Sequence, residues 1–461
     1  MGSALTYRRR AAVRWLLQLD QPVVERREAD VQAEINQNYR WNFSFGLLDG
    51  AFFWFGASFI SAATILPLFV SKLTTNPLII ALLPVLGQAT WYLPQLFAAG
   101  PTERLPYKKP VVVRVGFLTE RLPIWLMPLA ALLSVSYPRL ALVLLLIGYG
   151  LHGAGAGLIA PAWSDLIARC FPVTRRGWFF GFSTFVGTGL GAIGAFFSGW
   201  LLETYPFPMN FVYAFLLAGL MISLSWFFLA QMRESVQAAP SRVLGRNANW
   251  AKIGRILRGD SNFRAFLLVR LIGNLSMMGT GFVTVVALQR WQVSDGTVGF
   301  FTIALLTGQT LGTLFAGLVS DRFGHKQVFL GAYLINMLAF LLAWQAPAPL
   351  WFYGVFVLLG SGMGMLTVSG VLIAMEFSLP AHRPTYIGIA NTTNGIGIAV
   401  APLAGGLLAT VSYEWLFVGS ALAGLLAVLI LYEQVADPRF QTGFFAVDGE
   451  LEPVLSTDLG N

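Results

Sequence analysis

Apolar and polar residues alternate along this chain in blocks, not position by position. Predominantly apolar runs occupy 43–71, 77–99, 111–135, 140–167, 178–202 and 211–231. After a polar stretch at 232–262 they return at 263–289, 297–319, 327–346, 350–375, 385–411 and 415–432. A helix of roughly 20 residues crosses the ~30 Å hydrocarbon layer of a membrane. It is also the only open-chain element that satisfies its own backbone there. The pattern therefore predicts an all-α polytopic membrane protein of twelve transmembrane helices in two sets of six. The expected organisation is an N-terminal arm at 1–41, a first bundle at 42–231, a central linker at 232–262, a second bundle at 263–435 and a tail at 436–461.

Composition agrees: 56% of the 461 residues are hydrophobic and 11% are charged, against about 25% charged in a soluble domain. The net charge of +8 raises the question of nucleic acid, and position answers it. Lysine and arginine gather at Arg8–Arg10, Arg26–Arg27, Lys108–Lys109, Arg175–Arg176, between Arg242 and Arg264, and at Arg322 and Lys326; the intervening loops hold only Lys72, Arg139 and Arg290. That bias sets orientation. Both termini and the linker are expected on the cytoplasmic face of the inner membrane, with lipid as the partner and no nucleic acid. Tyr137, Tyr205, Trp291, Trp351 and Trp415 mark the opposite ends of the runs, as headgroup-level aromatics do. Residues 13–19 read equally as an interfacial helix or as part of a basic arm. Cys170, the one cysteine, excludes an internal disulfide.

The two halves repeat. Leu96, Glu103 and Lys108 recur at Leu314, Asp321 and Lys326 with one constant offset. With a second offset Gly153, Gly155 and Gly157 recur at Gly360, Gly362 and Gly364, and Arg176 recurs at Arg383. Parallel repeats of this kind describe two bundles with a path between them. Between the eighth and ninth runs the chain reads Gly317-Leu-Val-Ser-Asp321-Arg322-Phe-Gly324-His-Lys326.

That stretch resembles the loop signature of the major facilitator superfamily, which joins helices 2 and 3 and recurs between helices 8 and 9. Gly317, Asp321, Arg322, Gly324 and Lys326 match it; the first copy keeps Glu103, Arg104 and Lys108, with Ala99 and Pro106 in place of glycines. The resemblance implies a secondary transporter working by alternating access. It also implies a cytoplasmic latch, for which Asp165, Arg176, Glu376 and Arg383 are the expected partners of the two loops. A bistable network and separate interfacial ion pairs both fit those residues.

Ionisable groups inside membrane helices are costly and rare enough to mark function. Asp49 in the first run is the leading candidate for proton coupling or for a cationic substrate. Arg270, with Asn274 one turn later, is placed either to receive an anion or to snorkel. His152 stands where proton-coupled relatives resembling this family carry a different pattern, and reads as a titrating group or as a packing residue. Glu120 and Arg121, with Arg114 on the same face, read as a structural buried network, since the resemblance places helix 3 behind the cavity. Gln88, Tyr92, Gln309, Asn391 and Asn394 complete a candidate path for substrate or ion.

No phosphate-binding Gly-x-x-x-x-Gly-Lys, no His-Glu-x-x-His and no Cys-x-x-Cys occurs. Neither an enzyme, a cofactor nor a metal is expected. The function expected is transport of a small organic solute by a monomer, efflux ahead of uptake, with proton coupling as an option. A nutrient permease and a non-transporting sensor or scaffold on the same fold stay open.

Overall fold

The computed structural model describes residues 16–18, 26–103, 105–236, 246–378 and 383–438; the side chains of Glu103, Asp321 and Arg383 lie outside the description. Among the described residues there are twelve helical spans long and apolar enough to cross a membrane. They are α1 (Glu28–Leu73), α2 (Pro77–Gln95), α3 (Val111–Leu133), α4 (Pro138–Cys170), α5 (Thr174–Thr204), α6 (Met209–Ala230), α7 (Ser261–Trp291), α8 (Asp295–Ser320), α9 (His325–Gln345), α10 (Trp351–Glu376), α11 (Thr385–Val411) and α12 (Tyr413–Gln434).

Short polar residues set the starts. Asn76 accepts from the Leu78 amide with Pro77 in the first turn of α2. Ser294 caps α8 and Ser412 caps α12 in the same way, as expected of side chains that satisfy orphan amides. Asp260 caps α7 through the Phe263 amide and also accepts the Tyr386 hydroxyl, tying the start of α7 to α11. α1 begins at Glu28, well before the apolar run, with Glu28 and Asp30 in its first turn, where the helix dipole favours acids. Both lead helices are interrupted: α1 around Ser58–Thr64 and α7 around Ser276–Gly279.

Lipid gives helices no hydrophobic reason to associate, so small residues and close backbone contact must do it. A Cβ on Gly308 or Gly312 of α8 would strike the Val357 or Ser361 carbonyl of α10, and one on Gly360 or Gly364 would strike the Leu305 or Gln309 carbonyl of α8. α2 and α4 meet in the same way through Gly153 and Gly157. α1–α6 and α7–α12 each pack mainly within their own set. The seam between the sets is made by α5 on α8, α2 on α11 and the far ends of α1 and α7.

Candidate functional site

Three polar groups stand out, and the first lies at the seam. Tyr92 of α2 stands across it from the Asn394 side chain of α11, and Asn394 Oδ1 accepts from Asn274 Nδ2 of α7 at 3.1 Å. One turn earlier on α7, Arg270 is 7% exposed. Its Nη1 donates to the Gly370 carbonyl of α10 at 2.8 Å, and its guanidinium lies 5.9 and 6.0 Å from the Phe266 and Phe329 ring centroids. The ionisable groups acting on Arg270 are the Tyr92 and Tyr333 hydroxyls; no carboxylate among the described residues pairs with it. Tyr333 fits because Gly273 leaves its ring room beside α7. A cation at such depth costs about 2.5–3.5 kcal/mol on insertion scales.

Of the candidates expected on the path, Tyr92, Arg270, Asn274 and Asn394 therefore come together. Gln88, Gln309 and Asn391 flank them on α2, α8 and α11, and no hydrogen bond joins their side chains to this group. Gln88 is exposed on a widened, π-helical turn just before Tyr92. Gln309 is half-buried, with its backbone against Gly360 and Gly364. Tyr333, Phe266 and Phe329, which complete the setting of Arg270, are missed by a sequence reading because aromatics on apolar runs carry no distinguishing signal.

Asp49 and His152 belong elsewhere, inside the first bundle. Asp49 accepts the Ser225 hydroxyl of α6 at 2.6 Å, and the charged groups acting on it are Arg121 and Glu120 of α3. Glu120 and Arg121, 3% and 4% exposed, form an ion pair. The Arg121 guanidinium lies 5.8 Å from the Phe53 ring centroid of α1. His152 Nδ1 donates to the Glu120 carbonyl at 2.9 Å. Residues 117–121 form a π-helical turn, a feature frequent at functional sites, and both adjacent charges lie buried there.

The third group occupies the end of the molecule that carries the 2–3 and 8–9 loops. Lys108 Nζ donates to the Thr102 carbonyl at 2.6 Å and pairs with Asp165 at 3.1 Å. Burial pulls this ammonium below the ordinary lysine range, with the Asp165 hydrogen bond opposing it. Arg169 bridges Asp165 and Glu234, each at 3.2 Å, and Glu234 accepts the Lys108 and Lys109 amides, each at 2.9 Å. Arg176 is not in this network; it donates to the Ala168 and Phe171 carbonyls at the close of α4. In the second loop Gly324 has φ 92°, a backbone that favours glycine. Lys326 donates to the Tyr432 carbonyl at 3.4 Å, Arg322 is exposed beside Phe323, and Glu376 lies 3.8 Å from His325 Nε2. Arg104 and the side chains of Glu103, Asp321 and Arg383 fall outside the described residues.

The two ends of the seam differ. At the loop end a Cβ on Gly177, Gly181, Gly317 or Gly388 would meet nothing within 4 Å, so no neighbouring helix packs against these glycines in this arrangement. At the opposite end Lys72 pairs with Asp295 at 2.7 Å, Thr64 and Thr302 share a 2.6 Å hydrogen bond, and Glu203 accepts the Gly296 amide at 3.1 Å. Gly199 and Gly299 there touch backbone to backbone.

Two six-helix sets around a polar centre, shut at one end, are also the architecture of solved transporters. The structure superposes on a crystal structure of a D-xylose-proton symporter with TM-score 0.65 and 14% identity, covering 87% of this chain and 99% of that one; such identity shows the fold alone. Residues 271–455 match the family model described as Major Facilitator Superfamily. The second half of the chain thus matches the major facilitator superfamily. Two curated relatives are the inner membrane metabolite transport protein YgcS of Escherichia coli (strain K12) and the niacin transporter NiaP of Acinetobacter baylyi. The first is 28% identical over 163 residues, 35% of this chain and 37% of that protein. The second is 30% identical over 157 residues, 33% and 36%. The match thus spans a little over a third of each relative's length. The chain is a multi-pass membrane protein.

Proposed function

We propose that this chain is a secondary transporter that moves a small organic solute carrying a carboxylate by alternating access, with Arg270, Tyr92, Asn274 and Asn394 as the binding group. One observation carries the reading: a buried guanidinium at the seam, with no carboxylate partner among the described residues, stands between aromatic rings. A guanidinium recognises a carboxylate through paired charge-assisted hydrogen bonds, and ring faces favour a flat organic body. Niacin, the solute in one relative's name, is an aromatic carboxylate, which supports the class. With the basic loops cytoplasmic, the open end faces inward and both termini lie inside. Efflux is part of the proposal, supported by the aromatic and sparsely charged walls. So is proton coupling, supported by the ionisable Asp49 inside a membrane helix.

Binding is tested by thermal shift on the detergent-purified protein with nicotinate and benzoate against their uncharged amides. The carboxylates are expected to raise the melting temperature with concentration and the amides are not; Arg270→Gln removes the effect. Equal stabilisation by the amides, or an unchanged response in Arg270→Gln, rejects this assignment. Flux of the labelled solute in liposomes, with a pH gradient imposed in either direction, tests transport, direction and coupling.

A further inference from the structure

We propose that the basic face of the linker helix is a docking surface for acidic phospholipid headgroups, with Arg255 and Arg258 as the binding pair and Arg264 of α7 beside them. This surface lies away from the solute site, and the proposal does not rest on the solute reading. The polar linker contains a helix at Arg246–Gly259. Ile253, Ile256 and Leu257 recur at the three- and four-residue spacing that shares one helix face. Ile256 is 2% exposed, and all three pack into the core of the second bundle with Phe263, Tyr386 and Val435. Arg255 and Arg258, about one turn apart on the other side, are exposed. The helix therefore spends its apolar face on the protein and turns its arginines outward.

Its neighbours hold it at headgroup depth. Asp260 alone separates it from the first residue of α7, and Asn262 exchanges two hydrogen bonds with Ala436, just past α12, at 3.0 and 2.8 Å. The helix thus sits where two spanning helices leave the membrane. Arg264 Nη1 donates to the Leu257 and Arg258 carbonyls at 2.8 and 2.7 Å, which closes the linker helix and sets a third exposed guanidinium beside Arg258. One turn further into the span, Leu268 is 46% exposed and offers apolar surface to an acyl chain below a headgroup at Arg264. Charge decides which lipid. Between positions 235 and 264 the sequence carries Arg242, Arg246, Lys252, Arg255, Arg258 and Arg264 against one acid, Asp260. That acid is 7% exposed and spent on the Phe263 amide and the Tyr386 hydroxyl. Guanidinium groups bind phosphate oxygens through paired charge-assisted hydrogen bonds. Cations clustered beside a spanning helix favour anionic lipid by roughly fivefold each. A zwitterionic headgroup brings no net charge to match this excess, and an acidic one does.

The test titrates phosphatidylglycerol or phosphatidylcholine into the detergent-purified full chain, without solute, and follows the melting temperature. Phosphatidylglycerol is expected to raise it with concentration beyond the effect of phosphatidylcholine, and salt at about 0.5 M to remove most of the difference. Arg255→Gln with Arg258→Gln is expected to move the phosphatidylglycerol midpoint up by about tenfold or more. Arg40→Gln with Arg175→Gln removes the same charge from exposed positions on the first bundle and is expected to leave the midpoint in place. Equal shifts in the two double variants mean that net charge alone attracts the lipid, and they overturn the site. Equal stabilisation by the two lipids, or a difference that salt does not touch, overturns it as well. Inorganic phosphate is expected to give no rise; a rise matching that of phosphatidylglycerol makes this a free-phosphate site and overturns the lipid assignment. If the Arg255 and Arg258 double variant does not fold, Arg258→Gln alone is read: a midpoint shift of about fivefold is expected, and an unmoved midpoint overturns the proposal.

Discussion

Glu234 shows how much one side chain just past the last helix of a bundle can hold. It is 4% exposed, accepts two backbone amides at the start of α3 and pairs with Arg169 of α4, so it joins three helix ends at once. Removing one partner of a buried pair leaves the other charge uncompensated and costs about 3–5 kcal/mol. Glu234→Ala is therefore expected to lower the melting temperature of the purified protein by many degrees, while Glu234→Gln, which still accepts hydrogen bonds, lowers it less. A Glu234→Ala protein that melts like the wild type would show the network to be incidental. In sequence Glu234 is one acid in a polar linker, and nothing in its neighbourhood distinguishes it; the contacts that give it weight come from residues far along the chain. Arg270 was legible for the opposite reason, since a charge within an apolar run is conspicuous alone. Asp49 and His152 were visible too, but their separation from Arg270 depends on which way each helix faces, and an almost uniformly apolar helix leaves that face unmarked.

At the scale of elements, the glycines were the clearest signal. Glycine rows repeated between the halves mark matched small-residue contacts, α4 on α2 and α10 on α8, each made against carbonyl oxygens. The energetic consequence differs from one glycine to another according to what faces it. Gly360→Leu would drive a side chain into the Leu305 backbone, which cannot turn aside. Overpacking typically costs about 1–3 kcal/mol, and this site belongs at or beyond the upper end. Gly388→Leu meets open space and is expected to change stability by less than about 0.5 kcal/mol. Comparing the two melting temperatures under one set of conditions decides the point; equal losses would mean that the carbonyl contact at Gly360 carries no cost of its own. The breaks in α1 and α7 were not legible. Ser58–Thr64 and Ser276–Gly279 sit inside predominantly apolar runs, and hydrophobic length alone does not report a local change of backbone.

For the whole molecule the question is what keeps one end of the seam shut while the other stands open. Lys72 and Asp295 are the conspicuous pair, yet both are partly exposed, and such pairs are worth about 0–1 kcal/mol. Cutting that pair alone should shift the balance between states by about fivefold or less. The backbone contact of Gly199 with Gly299 is the stronger constraint, because a Cβ at Gly299 would fall on the Gly199 main chain and no rotamer change relieves it. Gly299→Leu is therefore expected to wedge this end apart and populate the arrangement in which the loop end closes, without unfolding either bundle. Spin labels at Thr75 and Gln292, both exposed near the shut end, should move apart, while labels at Thr174 and Arg322 near the open end should approach. The buried Cys170 should leave the engineered labelling sites distinct. A lowered melting temperature with both distances unchanged would make the glycine pair a packing contact only, and the two bundles would then have to rock about some other part of the seam.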